Sequence, residues 1–199
     1  EQRAVSQEIA ELLFYVKQRF FHRLPQHVND VFHPSVLKQT DNHKVRLREC
    51  LRDLLAQFEQ EMEREMLATA LRVEKAVQKS ERHVYAQLAA RISEIAGGEW
   101  LAAYESPAIE EPSWLTDPVG LQEDDFTALL KHFKNPKDFF EGEGKRRLRE
   151  GIEVQLEASL AQYFERQQQQ LVGYYCEQMD LHMSSMHDLV RRQVEEHFA

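Results

Sequence analysis

Gly144-Lys145 is the first pair that could do chemistry, because a phosphate-binding P-loop closes on Gly-Lys followed by Ser or Thr. Here the upstream glycine of G-x-x-x-x-G-K-[ST] is missing and Arg146 follows. Neither the phosphate cradle nor the Mg²⁺-binding hydroxyl is therefore supplied. Asp117-Pro118-Val119-Gly120 has the D-x-x-G spacing of a GTPase, but without a P-loop it reads as coincidence. The chain has nine histidines. His22 and His27 are five residues apart, as are His182 and His187, so neither pair shares a helix face as i, i+4 ligands would. Ser184-Ser185 with His187 and Asp188 has the composition of a triad without a nucleophile elbow. No catalytic residue, metal ligand or cofactor is assigned to this chain.

Two binding features stand above that background. Trp100 and Trp114 both fall in residues 97–122, with Leu101, Tyr104 and Leu115 beside them and Pro107, Pro112 and Pro118 between. Trp and Tyr suit places where one end of the ring is apolar and the other wet, including a bilayer interface. The second feature is basic: Lys131, Lys134, Lys137, Lys145, Arg146, Arg147 and Arg149. Cations near an anionic bilayer gain roughly 1 kcal/mol each. Together these residues make a candidate membrane-binding site. The bland alternatives are rings that plug their own core and a solvated basic face.

The elements that must position these residues are helical. The chain has 199 residues with seven Gly and six Pro, and 30% of it is charged. A net charge of −9 argues against nucleic acid as a partner. Cys50 and Cys176 are isolated, which fits a reducing cytosol. No apolar run approaches the ~20 residues that span a bilayer. The chain opens on Glu1-Gln2 rather than Met, which points to a piece of a longer protein.

Val5, Ile9, Leu12, Leu13, Val16, Phe20 and Leu24 recur at three- and four-residue steps, which predicts a helix over 1–24. Pro25 should break or kink it, leaving 1–40 as short helices and a hinge. Thr40-Asp41-Asn42 is a cluster of N-cap residues. From Lys44 to Ala96 there is no Gly or Pro, and a stripe from Val45 through Leu54, Met66, Val77 and Ile95 predicts one long helix over 41–96. Such a helix spans about 80 Å at ~1.5 Å per residue. Its stripe falters at Ser80-Glu81, and Gly97-Gly98 ends it. A second long helix is expected over 144–199, with Gly151 and Gly173 as interior blemishes.

Residues 97–143 lie between as a small helical tip. Its pivot is a structural corner, Asn135, Pro136, Phe139 and Phe140: Asn-Pro disfavours helix, Pro136 can open a new turn, and two large rings can be buried. Two long helices joined through a compact corner should lie antiparallel, and the first helix adds a third member. The expected fold is all-α, an elongated antiparallel helical bundle with very long helices, organised as one stalk domain over 1–199.

The runs Phe14-Tyr15-Val16-Lys17-Gln18-Arg19, His33-Pro34-Ser35-Val36-Leu37, Glu65-Met66-Leu67-Ala68-Thr69-Ala70-Leu71-Arg72-Val73-Glu74 and Phe133-Lys134-Asn135-Pro136-Lys137-Asp138-Phe139-Phe140-Glu141 resemble the helical stalk of bacterial dynamin-like proteins. Those are large GTPases that act on membranes. The resemblance implies an adjacent GTPase domain using GTP and Mg²⁺, a lipid-contacting tip, self-association through the stalk, and a place in the cytoplasm against the inner face of the plasma membrane. Because this chain lacks the nucleotide motifs, GTP hydrolysis would belong to a domain outside it. The expected function is the stalk and membrane-contacting segment of a remodelling GTPase, in fusion, fission or repair. The alternative is a non-enzymatic helical scaffold that binds partner helices without touching lipid.

Overall fold

Residues 1–33, 35, 42–131 and 142–199 are described by a computed structural model. They hold four α-helices and no strand: α1 (Gln2–Val31), α2 (His43–Ala96), α3 (Glu123–Leu130) and α4 (Gly142–Phe198), with one 3-10 turn at Ser113–Thr116. The chain is an all-α helical bundle, as its apolar periodicity predicts. Lys134, Lys137, Asn135, Pro136, Phe139 and Phe140 lie outside the described residues.

Local chemistry sets the ends of α2. Asn42 Oδ1 accepts the Val45 N–H at 3.3 Å, an N-cap that satisfies one of the free donors of the first turn. At the other end Gly97 and Gly98 take φ of 75° and 109°, a backbone that favours glycine. The Ser93 hydroxyl donates to the Gly98 carbonyl at 2.8 Å. One expectation fails in α1, which passes through Pro25 unbroken. Proline removes a single donor, while Leu24, Val28 and Phe32 are all buried and carry the apolar stripe across it. Burial on both sides of the ring outweighs the local defect.

The chain divides into two compact units. The first comprises Glu1–Leu12, Ala68–Pro112 and Gln168–Ala199. Its core includes Val5, Ile9, Val73, Val77, Tyr175, Met179 and Met186. Here α1 runs opposite to α4: Gln2 Nε2 donates to Asp180 Oδ1 at 2.6 Å, and Ser6 Oγ lies 3.9 Å from Cys176 Sγ. In contrast, α2 and α4 run in the same direction. Tyr175 OH donates to the Ala70 carbonyl at 3.3 Å, His182 pairs with Glu81, and Met186 and Val190 share a buried cluster with Tyr85.

The second unit comprises Leu13–Leu67 and Ser113–Gln167. Phe20, Phe58, Met62, Leu115, Phe126, Ile152 and Leu156 are among its buried residues. Here α1 and α2 are antiparallel, shown by the ion pairs Arg19–Glu65 and Arg23–Glu61, the latter at 2.7 Å. Phe20 and Phe58 place their ring centroids 4.6 Å apart.

The antiparallel pairing expected of the two long helices is thus corrected to a parallel one in the first unit, where α1 opposes both. The cause is the course of residues 99–130, which run back along α2. Residues up to Pro112 follow α2 backwards within the first unit, and residues from Ser113 do so within the second. A connection that returns along a helix lets the next helix set out in the original direction.

Candidate functional site

The returning segment, hereafter the strap, is fastened by side chains of α2. In the second unit Glu59 accepts three consecutive backbone N–H groups: Val119 at 2.7 Å, Gly120 at 3.1 Å and Leu121 at 3.2 Å. Gly120 supplies the φ of 82° that turns its amide toward the carboxylate. The D-x-x-G tetrapeptide therefore spends two of these amides on an internal carboxylate. Seven residues before Glu59, the exposed Arg52 reaches Glu123 at 3.1 Å, at the start of α3.

In the first unit the same seven-residue spacing recurs at Glu74 and Glu81, which places both on one face of α2. Glu74 accepts the Ile109 N–H at 3.3 Å. Glu81 is 0% exposed. Its Oε2 accepts the Ser106 hydroxyl at 2.6 Å and lies 3.4 Å from the Tyr104 hydroxyl. Its Oε1 lies 2.8 Å from Nδ1 of His182, itself 8% exposed. The carboxylate sits between the hydroxyl and the imidazole. It ties α2, α4 and the strap together and leaves a buried charge fully partnered. Tyr85 OH donates to the Ala102 carbonyl, and Gln193 accepts the Ala102 N–H at 3.1 Å. Tyr174 OH donates to the Glu110 carbonyl at 2.8 Å.

Burial pushes the phenols along this seam upward. Tyr163, in the second unit, and Tyr175, in the first, are raised most, with nearby Glu59 and Glu74 respectively adding to the shift. Tyr85 is raised by burial alone, and Tyr104 by burial with help from Glu81.

The residues singled out as a membrane-contacting tip fall in different places. In the first unit, Tyr104 stacks on Tyr85 at 5.2 Å, and Leu101 packs against the same cluster. Trp100, half-buried, stacks flat on His197 at 4.0 Å, with Phe198 at its edge. In the second unit, Leu115 is 1% exposed and Trp114 is half-buried. The two tryptophans therefore belong to separate units.

The basic cluster is also partly spent. Arg146 and Arg147 both pair with Glu143, at 3.0 and 3.2 Å, and Arg146 reaches Glu150 at 3.5 Å. The hydrogen bond from Arg146 holds the Glu143 carboxyl below its usual range. Lys145 and Arg149 are half-buried, and Lys131 is exposed beside Lys44 and Arg48. Sequence reasoning did not assign Glu59, Glu81 or His182 to a buried network, and it set Ile95 and Phe198 in the apolar stripes although both are exposed. Glu81 had a signal: it continues the four-residue steps Val73, Val77, Glu81, Tyr85 as an acid within an apolar stripe.

Among the described residues, no group of three or more His, Cys, Asp and Glu side chains is placed to hold a metal ion. No described helix is long and apolar enough to cross a membrane. Compared with known proteins, the chain matches no family model, no curated protein and no solved structure.

Proposed function

We propose that this chain is the stalk of a dynamin-like, membrane-remodelling GTPase of the bacterial cytoplasm, working against the inner face of the plasma membrane. GTP and Mg²⁺ would be handled by an adjacent domain, and the stalk would carry motion and associate with other stalks. The observation that supports this reading is continuity: α2 and α4, of 54 and 57 residues, each contribute to both compact units without a break. A continuous helix resists bending along its length, as a stalk that carries motion requires. The carboxylate-fastened strap adds stiffness within each unit.

Lipid contact, in this reading, falls within the first unit to Trp100 with Ile95 and Phe198, 87% and 66% exposed, and separately within the second to Lys131 and the Lys145, Arg146, Arg147 and Arg149 cluster. The test is co-sedimentation with anionic and with neutral vesicles at low and high salt. Binding to anionic vesicles that falls in high salt and on Trp100→Ala, with helicity kept, is expected. A folded chain that stays in the supernatant with both vesicle types overturns the lipid role.

One observation favours a second reading, a scaffold that binds partner helices. Tyr104 and Leu115 are taken up by internal packing, while Phe14 and Tyr15 on α1 are 58% and 65% exposed. Loss of self-association or partner binding on Phe14→Ser with Tyr15→Ser, in a chain that ignores vesicles, would favour it.

A further inference from the structure

Within the first unit, α1 and α2 border an open groove of about 560 Å³. Ala4, Val5 and Ala76 give it an apolar floor. Its two walls carry opposite charge: Glu1 and Glu8 stand on α1, and Arg72, Lys75 and Lys79 on α2. No hydrogen bond or ion pair among the described residues engages those three cations. The register follows from the Ser80 hydroxyl, which donates to the Glu1 carboxylate. Within this unit α1 runs opposite to α4 and α2 runs with α4, so α1 and α2 are antiparallel. Glu8 therefore lies seven residues, or about 10 Å, down the groove, level with Arg72 and Lys75.

We propose that this groove is an interface between two copies of the chain, related by a twofold axis lying along the groove. Rotation about that axis sets the acidic wall of each copy against the basic wall of the other and preserves height. Glu8 then faces the Arg72 and Lys75 of the second copy, Glu1 faces its Lys79, and every contact occurs twice, as an isologous interface requires. A twofold axis across the groove would set α1 on α1 and like charge on like, so the surface selects one arrangement. Leu71, 48% exposed and one turn before Lys75, offers apolar area at the basic edge. The inference rests on the self-association in the stalk reading and names its surface.

The experiment is sedimentation velocity over a range of concentrations on the chain and on three variants, Glu8→Lys, Lys75→Glu and the two combined. Both positions are exposed, and circular dichroism reports whether the variants keep their helix. Each single variant puts like charges face to face twice and should weaken the dimer roughly tenfold. The combined variant exchanges the walls and should restore it. A dimer insensitive to the single changes, or not restored by the combination, overturns this surface and leaves the stalk reading standing. A chain that is monomeric at every concentration overturns both. If added inorganic phosphate or an acidic peptide rescues neither single variant but binds the parent groove as a monomer, the groove takes an anion and the proposal is wrong.

Discussion

His182 Nδ1 lies 2.8 Å from Oε1 of Glu81, a carboxylate with no exposed surface. The pair joins α4 to α2, and the other oxygen of the same carboxylate holds the strap through Ser106. One side chain thus fixes three segments, and its removal should be felt by all of them.

Glu81→Ala should lower stability by about 1–3 kcal/mol, because the His182 nitrogen and the Ser106 hydroxyl are left buried and unpartnered. Replacing both members, Glu81→Leu with His182→Leu, should recover the part of that loss that comes from the unpartnered His182 nitrogen, while the Ser106 hydroxyl stays unpartnered. Urea denaturation of the parent, Glu81→Leu, His182→Leu and the combined variant makes a double-mutant cycle. If the double variant is as weak as the sum of the singles, the two residues do not act as a pair.

Glu59→Ala should release the amides of Val119, Gly120 and Leu121, all of which donate to that carboxylate. Amide hydrogen exchange at these three positions should accelerate well ahead of global unfolding. Unchanged protection would mean that the backbone is held by something other than Glu59.

The two glycines inside α4 should answer differently to alanine. Nothing lies within 4 Å of a Cβ built on Gly173, so Gly173→Ala should stabilise by up to about 1 kcal/mol through helix propensity. A Cβ on Gly151 would meet Leu129 Cδ2 at 2.8 Å, so Gly151→Ala must push the α3 side chain aside and should gain less or lose. Equal melting temperatures for the two variants would contradict the packing of α3 on α4.

Alkaline pH should unfold the chain as tyrosines ionise. Burial raises Tyr163 and Tyr175 above the ordinary phenol value of about 10. Their contribution is complete below that pH and is lost as pH rises toward the folded-state values, because the unfolded chain gives up these protons first. Absorbance near 295 nm should therefore rise together with loss of helicity, and Tyr175→Phe should remove part of the coupling. Tyrosines that titrate independently of helicity would show that the rings are open to solvent.

The apolar stripe made the helices legible. Val5, Ile9, Val16 and Phe20, and later Leu148, Ile152, Leu156 and Leu160, are buried where their spacing puts them. Direction was not legible, because periodicity says which face is covered and not by what. Pro107, Pro112 and Pro118 announced a non-helical segment, but its course along α2 depends on Glu59 and Glu74 binding backbone amides, which bear no residue-type signature. Glu81 read only as a place where the stripe falters, because its partner His182 is 101 residues away. For the candidate site, the aromatic and basic residue types were visible, yet their separation into two units came from the strap's route.

The parallel run of α2 and α4 in the first unit also sets an order of assembly. Hydrogen bonds between them close intervals of 101 and 105 residues, whereas those between α1 and α2 in the second unit close only 38 and 46. Short closures form sooner, and long ones wait on the rest of the chain. During synthesis α1 and α2 can condense as a hairpin while the strap and α4 are still unmade. Glu81 can meet Ser106 of the strap first, and its bond to His182 can close only when the last helix arrives.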